Sequence, residues 1–158
     1  MENENHLPFF GIGPYLVIPM LAITGLVIIY PNTPKFNIQQ LNNLLIVIGI
    51  LFLVLGAIIW LSAMVGSKLN HNIRNNNLIT TGIYSYIRHP IYACFLYINI
   101  GLVLVSTNLL LLVMPVIYWL FLSASIARTE EKWLLDLYGD EYERYSKKVN
   151  RFFPRLIG

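Results

Sequence analysis

The chain has 158 residues, 56% of them hydrophobic and 12% charged, with a formal net charge of +3. A soluble domain carries roughly 25% charged residues, so this composition excludes an ordinary soluble domain and fits one membrane domain with several spans. The basic residues flank apolar runs, which reads as membrane orientation and not nucleic-acid binding; one cysteine, Cys94, and three scattered histidines, His6, His71 and His89, give no disulfide framework and no zinc spacing.

Residues 1–10 are polar and lack the basic region of a secretory signal. Gly11 to Tyr30 is almost wholly apolar, long enough for one transmembrane helix. Pro14 and Pro19 fall in its first half and are expected to bend it. A polar connection leads to the second span, Leu44 to Gly66, where Gly49 and Gly56 predict a close helix contact and Trp60 an interfacial position. Ser67 to Leu78 is a basic, asparagine-rich loop. The third span, Pro90 to Val105, and the fourth, Leu109 to Ala127, are separated by Ser106-Thr107-Asn108, the pattern of a tight helical hairpin. Pro115 is expected to kink the fourth.

From Thr129 onward charged residues alternate with apolar and aromatic ones at spacings of three and four, which predicts an amphipathic helix or a pair broken at Gly139. The expected fold is therefore all-α and integral to the membrane: about four transmembrane helices, including a helical hairpin in the C-terminal half, then a cytosolic amphipathic helical tail. One domain fills 1–158, with two spans and the basic loop in 1–77 and the hairpin and tail in 78–158. The loop before the third span carries Lys68, Arg74 and Arg88, and the tail from Arg128 carries seven Lys and Arg. Four spans put both regions on the cytoplasmic side, so Arg88-His89-Pro90 and Glu130-Glu131 are predicted to meet at one membrane face.

Polar side chains at membrane depth are costly and mark sites that face protein or water. Arg88 and Arg128 suit a carboxylate or phosphate, His89 an anion or a proton, and Glu130 and Glu131 an ammonium or sugar hydroxyls. Tyr84, Tyr86, Tyr92, Tyr97, Trp133, Tyr138, Tyr142 and Tyr145 suit a base or a cation. A cofactor with a carboxylate, an ammonium, a ribose and a cationic centre fits this set, and so does a nucleotide or a lipid headgroup. The same residues also fit blander roles: an interfacial Arg-His anchor, an aromatic belt, acidic charges at a helix start, and a proline opening a helix.

Gly82-Ile83-Tyr84, Arg88-His89-Pro90 with Tyr92, a tight apolar hairpin, Arg128-Thr129-Glu130-Glu131, then Tyr138-Gly139-Asp140-Glu141-Tyr142 and Tyr145, together resemble the isoprenylcysteine carboxyl methyltransferase family from about Leu78 to Pro154. The resemblance implies an integral membrane, multi-pass methyltransferase that uses S-adenosyl-L-methionine at the cytosolic face; the asparagine-rich loops and the lack of a targeting signal suggest a microbial plasma membrane. It implies cofactor contacts from Tyr84, His89, Pro90, Tyr92, Glu130, Glu131, Tyr142 and Tyr145. It implies catalytic roles for Glu131 and for Arg128, which would orient a lipophilic or lipidated acceptor drawn from the membrane lipid, with no metal and no nucleic acid involved. Cys94 stands where the family pattern has glycine. The alternatives are a phospholipid or amine N-methyltransferase, an NADPH-dependent sterol-type reductase, and a non-catalytic four-span membrane protein.

Overall fold

The computed structural model describes residues 12–30, 34, 38–66 and 77–155. Those residues are helical apart from turns and one parallel bridging pair, Ile87 with Asn150. His6 and His71 lie outside the described residues, as does the loop with Lys68 and Arg74.

The first helix, α1, is Gly13–Ile29. Pro14 falls in its first turn, where a missing N–H costs nothing; Pro19 lies inside the helix. The second, α2, is Gln39–Leu61, continued by a π-helical turn at Ser62–Gly66. It begins before the apolar run because Gln39, Gln40, Asn42 and Asn43 form its first turns, with Gln39 Nε2 donating to Asn43 Oδ1 at 3.0 Å.

The hairpin runs through α3, Pro90–Ser106, and α4, Met114–Arg128. At its corner Thr107 takes a left-handed conformation, φ 52°, and the Asn108 side chain accepts from the Leu110 N–H at 3.0 Å. A 3₁₀ turn, Leu109–Val113, then precedes α4. Pro115 lies in the first turn of α4, so it marks a helix start and not the expected kink. Thr129 breaks the helix, and two short amphipathic helices follow, α5 at Glu130–Tyr138 and α6 at Asp140–Lys148. Gly139 between them has φ 53°, a conformation glycine adopts without a side-chain penalty, as the sequence break there predicts.

The tightest contact joins α2 to α3. A Cβ on Gly49 would lie 2.8 Å from the Gly101 carbonyl oxygen, and one on Gly101 would lie 2.8 Å from the Gly49 oxygen. The two backbones therefore touch, as small residues allow in membrane helix pairs. Further along the seam, a Cβ on Gly56 would lie 2.9 Å from the Cys94 carbonyl oxygen. Cys94 is fully buried, and Gly56 supplies the space at its level of the seam.

The buried side of α1 is tied down by polar groups. Thr24 Oγ1 donates to the Met20 carbonyl at 3.0 Å, Asn99 Nδ2 donates to Thr24 Oγ1 at 2.7 Å, and the Tyr118 hydroxyl donates to the same Met20 carbonyl at 3.1 Å. This cluster links α1, α3 and α4 within a core of Val17, Met20, Tyr92, Leu96, Leu122 and Ile126.

The outer side of α2 exposes Val47, Ile50, Leu51, Val54, Leu55 and Ile58. A continuous apolar face of this kind is at home in lipid and not in water. Two helical stretches, Gln39–Gly66 and Leu109–Tyr138, are long and apolar enough to cross a membrane. The other two apolar helices, α1 and α3, have 17 residues each.

Candidate active site

The segment before α3 is shaped by its turns. Gly82, at φ 62°, opens a 3₁₀ turn over Gly82–Ser85. The chain then passes through the Ile87 bridge and a bend at Arg88 and enters α3 at Pro90. Two N–H groups in this stretch, which no helix satisfies, find partners far along the chain. Arg88 N donates to the Asn150 carbonyl at 2.8 Å, and His89 N to the Arg151 carbonyl at 3.0 Å. Residues 150–153 thus form a strap beneath the Arg88-His89-Pro90 motif. Phe152 anchors it in the core, and the Phe153 ring lies 5.9 Å from the Tyr97 ring.

The opposite wall comes from the break at Thr129, which places Glu130 and Glu131 in the first turn of α5, the favourable end of a helix for carboxylates. Glu130 Oε1 accepts from the Tyr92 hydroxyl through a very short hydrogen bond, and from the Ile12 N–H at 3.1 Å; Oε2 is 3.8 Å from His89 Nδ1. Glu131 is enclosed by two arginines and an imidazole. Arg151 grips it with two prongs, Nε to Oε1 at 2.8 Å and Nη2 to Oε2 at 2.6 Å. Arg88 Nη2 is 3.1 Å and His89 Nε2 3.4 Å from the same Oε1. Burial alone would raise the Glu131 carboxyl, but the close His89 ring, the Arg151 hydrogen bonds and the Arg88 charge outweigh it and hold the group well below the usual carboxylate range.

These residues edge a cavity of about 510 Å³, within the size range of small-molecule sites. One part is apolar, with Gly13, Pro14, Val17, Ile18 and Leu21 from α1, Trp60 from α2, and Ile91 and Phe95 from α3. The lining also includes Tyr84, Arg88, His89, Tyr92, Glu130, Trp133, Tyr138, Tyr142 and Tyr145. The Tyr145 hydroxyl donates to the Tyr84 carbonyl at 2.6 Å, and the Tyr142 and Tyr145 rings meet edge-to-face with centroids 6.2 Å apart. Burial, the main cause, pushes the phenols of Tyr84, Tyr142 and Tyr145 up, so all three are neutral at physiological pH. Three buried polar atoms of the lining residues lack any hydrogen-bond partner: His89 Nε2, Arg88 Nε and the Tyr142 hydroxyl. His89 Nε2 is near Glu131 but misaligned for a hydrogen bond. All three belong to residues that line the cavity.

The structure brings together seven sequence-predicted residues, Tyr84, His89, Pro90, Tyr92, Glu130, Tyr142 and Tyr145, along the cavity wall. Glu131 lies behind that wall, within the ion cluster. Arg128, at the end of α4, is exposed and does not line the cavity. Tyr86 is exposed, and Tyr97 packs against Phe52 and Phe153. Trp60, 43% exposed, also lines the cavity. Sequence reasoning missed Arg151, which carried no signal beyond one more basic residue in the tail, and it missed the α1 wall, whose apolar residues look the same whether they face lipid, protein or ligand. Among the described residues no group of three or more His, Cys, Asp or Glu is placed to hold a metal.

Residues 41–141 match the family model described as phospholipid methyltransferase. The chain is 36% identical over 131 residues to the protein-S-isoprenylcysteine O-methyltransferase of Schizosaccharomyces pombe, covering 78% of this chain and 55% of that protein. It is 33% identical over 134 residues to the enzyme of the same name from Saccharomyces cerevisiae, covering 80% and 56%. The cobalt-zinc-cadmium resistance protein CzcN of Cupriavidus metallidurans is 25% identical over 155 residues, covering 97% of this chain and 68% of its own length. The chain thus spans little more than half the length of the two isoprenylcysteine methyltransferases.

Proposed function

The chain belongs to the phospholipid methyltransferase family, and from that membership we propose that it is a membrane methyltransferase moving the methyl group of S-adenosylmethionine to a lipophilic acceptor, a prenylcysteine-type carboxylate. The observation that carries this reading is one cavity lined both by the Arg88-His89-Pro90 motif, Glu130 and a group of tyrosines, and by apolar residues of α1, α2 and α3. The isoprenylcysteine relatives support the acceptor class.

When bound, the cofactor supplies a methyl group on a positively charged sulfur. The chain's own residues do the rest. Glu130 offers a carboxylate to the cofactor's cationic groups. His89, Arg88 and the Tyr142 hydroxyl offer hydrogen bonds to its polar ends. Tyr84, Tyr92, Tyr142 and Tyr145 line the pocket with neutral rings that exclude water and suit a cation or a base. The apolar walls of α1 and α3 hold the acceptor's hydrocarbon. A carboxylate acceptor is already nucleophilic at neutral pH, so the chain needs only to align it. Arg128, exposed at the end of α4, serves in this reading to guide the acceptor's charged head, and Glu131 supports the site from behind.

All four apolar helices cross the bilayer in this arrangement. At 17 residues, α1 and α3 are about 25 Å long, against a hydrocarbon core of roughly 30 Å. The site sits at the cytosolic face, on the side of the basic residues of α5, α6 and the strap.

Calorimetry of S-adenosylmethionine with the detergent-purified chain tests the reading, followed by transfer of labelled methyl to a prenylated cysteine. Binding by the wild type, lost in His89→Ala with folding intact, is the expected result. A folded wild type that binds no cofactor would overturn it.

A further inference from the structure

The paired glutamates face different ways. A carboxylate has about four acceptor positions. Glu131 accepts two bonds from Arg151 and lies 3.1 Å from Arg88 Nη2, with the His89 ring packed against the same oxygen. Its side chain is 12% exposed, and it does not line the cavity. Glu130 does line the cavity. Its Oε1 is engaged by Tyr92 and Ile12, while Oε2 lies 3.8 Å from His89 Nδ1, beyond hydrogen-bond reach.

Arg151 is also bound through its backbone, its carbonyl accepting from His89 N at 3.0 Å. One residue therefore holds the main chain of the histidine motif and the side chain of the second glutamate. Along the chain the two walls are separated by the whole hairpin, and Arg151 adds to the direct contacts that Arg88, His89 and Tyr92 make with the glutamates. The bidentate geometry matters here: a planar guanidinium fixes both distance and orientation of a carboxylate, which a lysine ammonium cannot do.

We infer that the two glutamates divide the work: Glu130 alone presents its carboxylate to the cationic part of the cofactor, while Glu131 is a positioning residue locked by Arg151, a second positioning residue that sets the spacing between His89 and the start of α5. This inference rests on the function proposed above.

The test is a set of S-adenosylmethionine titrations by calorimetry on the full detergent-purified chain, each variant checked for folding by thermal melting. Glu130→Gln is expected to weaken binding at least tenfold without lowering the melting temperature as far as Glu131→Gln does. Glu131→Gln and Arg151→Gln each weaken binding several-fold, and the double variant binds no worse than the poorer single one, because both changes break the same pair. Arg151→Lys restores part of the affinity by keeping the charge while losing the second prong. Losses that multiply in the double variant, or a Glu130→Gln protein that binds like the wild type, would overturn the division while leaving the methyltransferase reading in place. If Arg151→Gln does not fold, the comparison of Glu130→Gln, Glu131→Gln and Arg151→Lys still decides it. No binding by the folded wild type would sink the methyltransferase reading first, and the inference with it.

Discussion

Substituting alanine for Gly49 sets two known effects against each other at one atom. Alanine is the better helix former by about 0.5–1 kcal/mol, so an unencumbered glycine in mid-helix gains stability from the change. At Gly49 the added Cβ would lie 2.8 Å from the Gly101 carbonyl oxygen, 2.8 Å from Val105 Cγ2 and 2.9 Å from Val105 N. Two of those three atoms belong to the α3 backbone and cannot swing aside, so the helices must part. Overpacking of this kind costs about 1–3 kcal/mol, and a backbone contact belongs in the upper half of that range. The net is a destabilisation of about 1–2 kcal/mol. Gly25 provides the control, because a Cβ there meets nothing within 4 Å and Gly25→Ala gains about 0.5–1 kcal/mol. At about 2–4 °C per kcal/mol for a chain of this size, the two variants differ by about 5–10 °C in a thermal melt in detergent. Gly49→Ala also moves α3, which carries Tyr92, so cofactor affinity falls with stability. A Gly49→Ala protein that melts at or above Gly25→Ala would refute the backbone contact.

The depressed Glu131 carboxyl predicts a pH dependence of stability. Its ordinary value is 4.5 and its folded value lies lower, so its contribution is fully present above 4.5 and is lost as the pH falls from there toward the folded value. Melting temperatures measured down to pH 3 should hold level on this account until about 4.5 and then fall, and Arg151→Gln should shrink the fall. Thr24→Val keeps the shape of the side chain but strands the Asn99 amide donor in the core, which costs about 1–3 kcal/mol; denaturant titration of the purified variant reads it directly. Tyr145→Phe removes the 2.6 Å hydrogen bond to the Tyr84 carbonyl, worth about 1 kcal/mol. It should loosen the Tyr84 turn and weaken cofactor binding a few-fold by calorimetry, and unchanged affinity would show that Tyr84 needs no such support.

The sequence exposed the helices well and the site in part. Long apolar runs located α2 and α4 because lipid-facing residues need no polar alternation. Gly139 and the Ser106-Thr107-Asn108 break were readable because turn chemistry is local. The start of α2 was not, since Gln39, Gln40, Asn42 and Asn43 look like a loop to a hydropathy reading but form exposed helical turns. Pro115 was readable as helix-breaking chemistry, but not as a helix start, because the preceding 3₁₀ turn has no sequence mark. In the site, His89 and Glu130 stood out as polar groups beside apolar spans. What sequence alone cannot reveal is which partner each takes. Nothing local distinguishes Glu130, which faces the cavity, from Glu131, which faces Arg151. Nor does Arg151 differ in composition from Lys147 or Lys148, which belong to the exposed side of α6. Those distinctions come from the return of residues 150–153 to the Arg88-His89 stretch.

That return has a consequence in time. Ile87 and Asn150 pair across the intervening hairpin and both tail helices, and during synthesis the earlier partner is made first. The N–H groups of Arg88 and His89 must wait, unpaired by the strap, until residues 150 and 151 emerge. At about 5–20 residues per second, the interval between completion of α4 at Arg128 and the appearance of Asn150 is about 1–4 s. Through that interval the helices can assemble in the membrane from contacts close in sequence, which form fastest, while Glu131 still lacks its arginine. The bundle can therefore form before the candidate site is complete, and a nascent chain stalled within α6 would lack the Arg151 grip on Glu131 and the strap beneath Arg88 and His89.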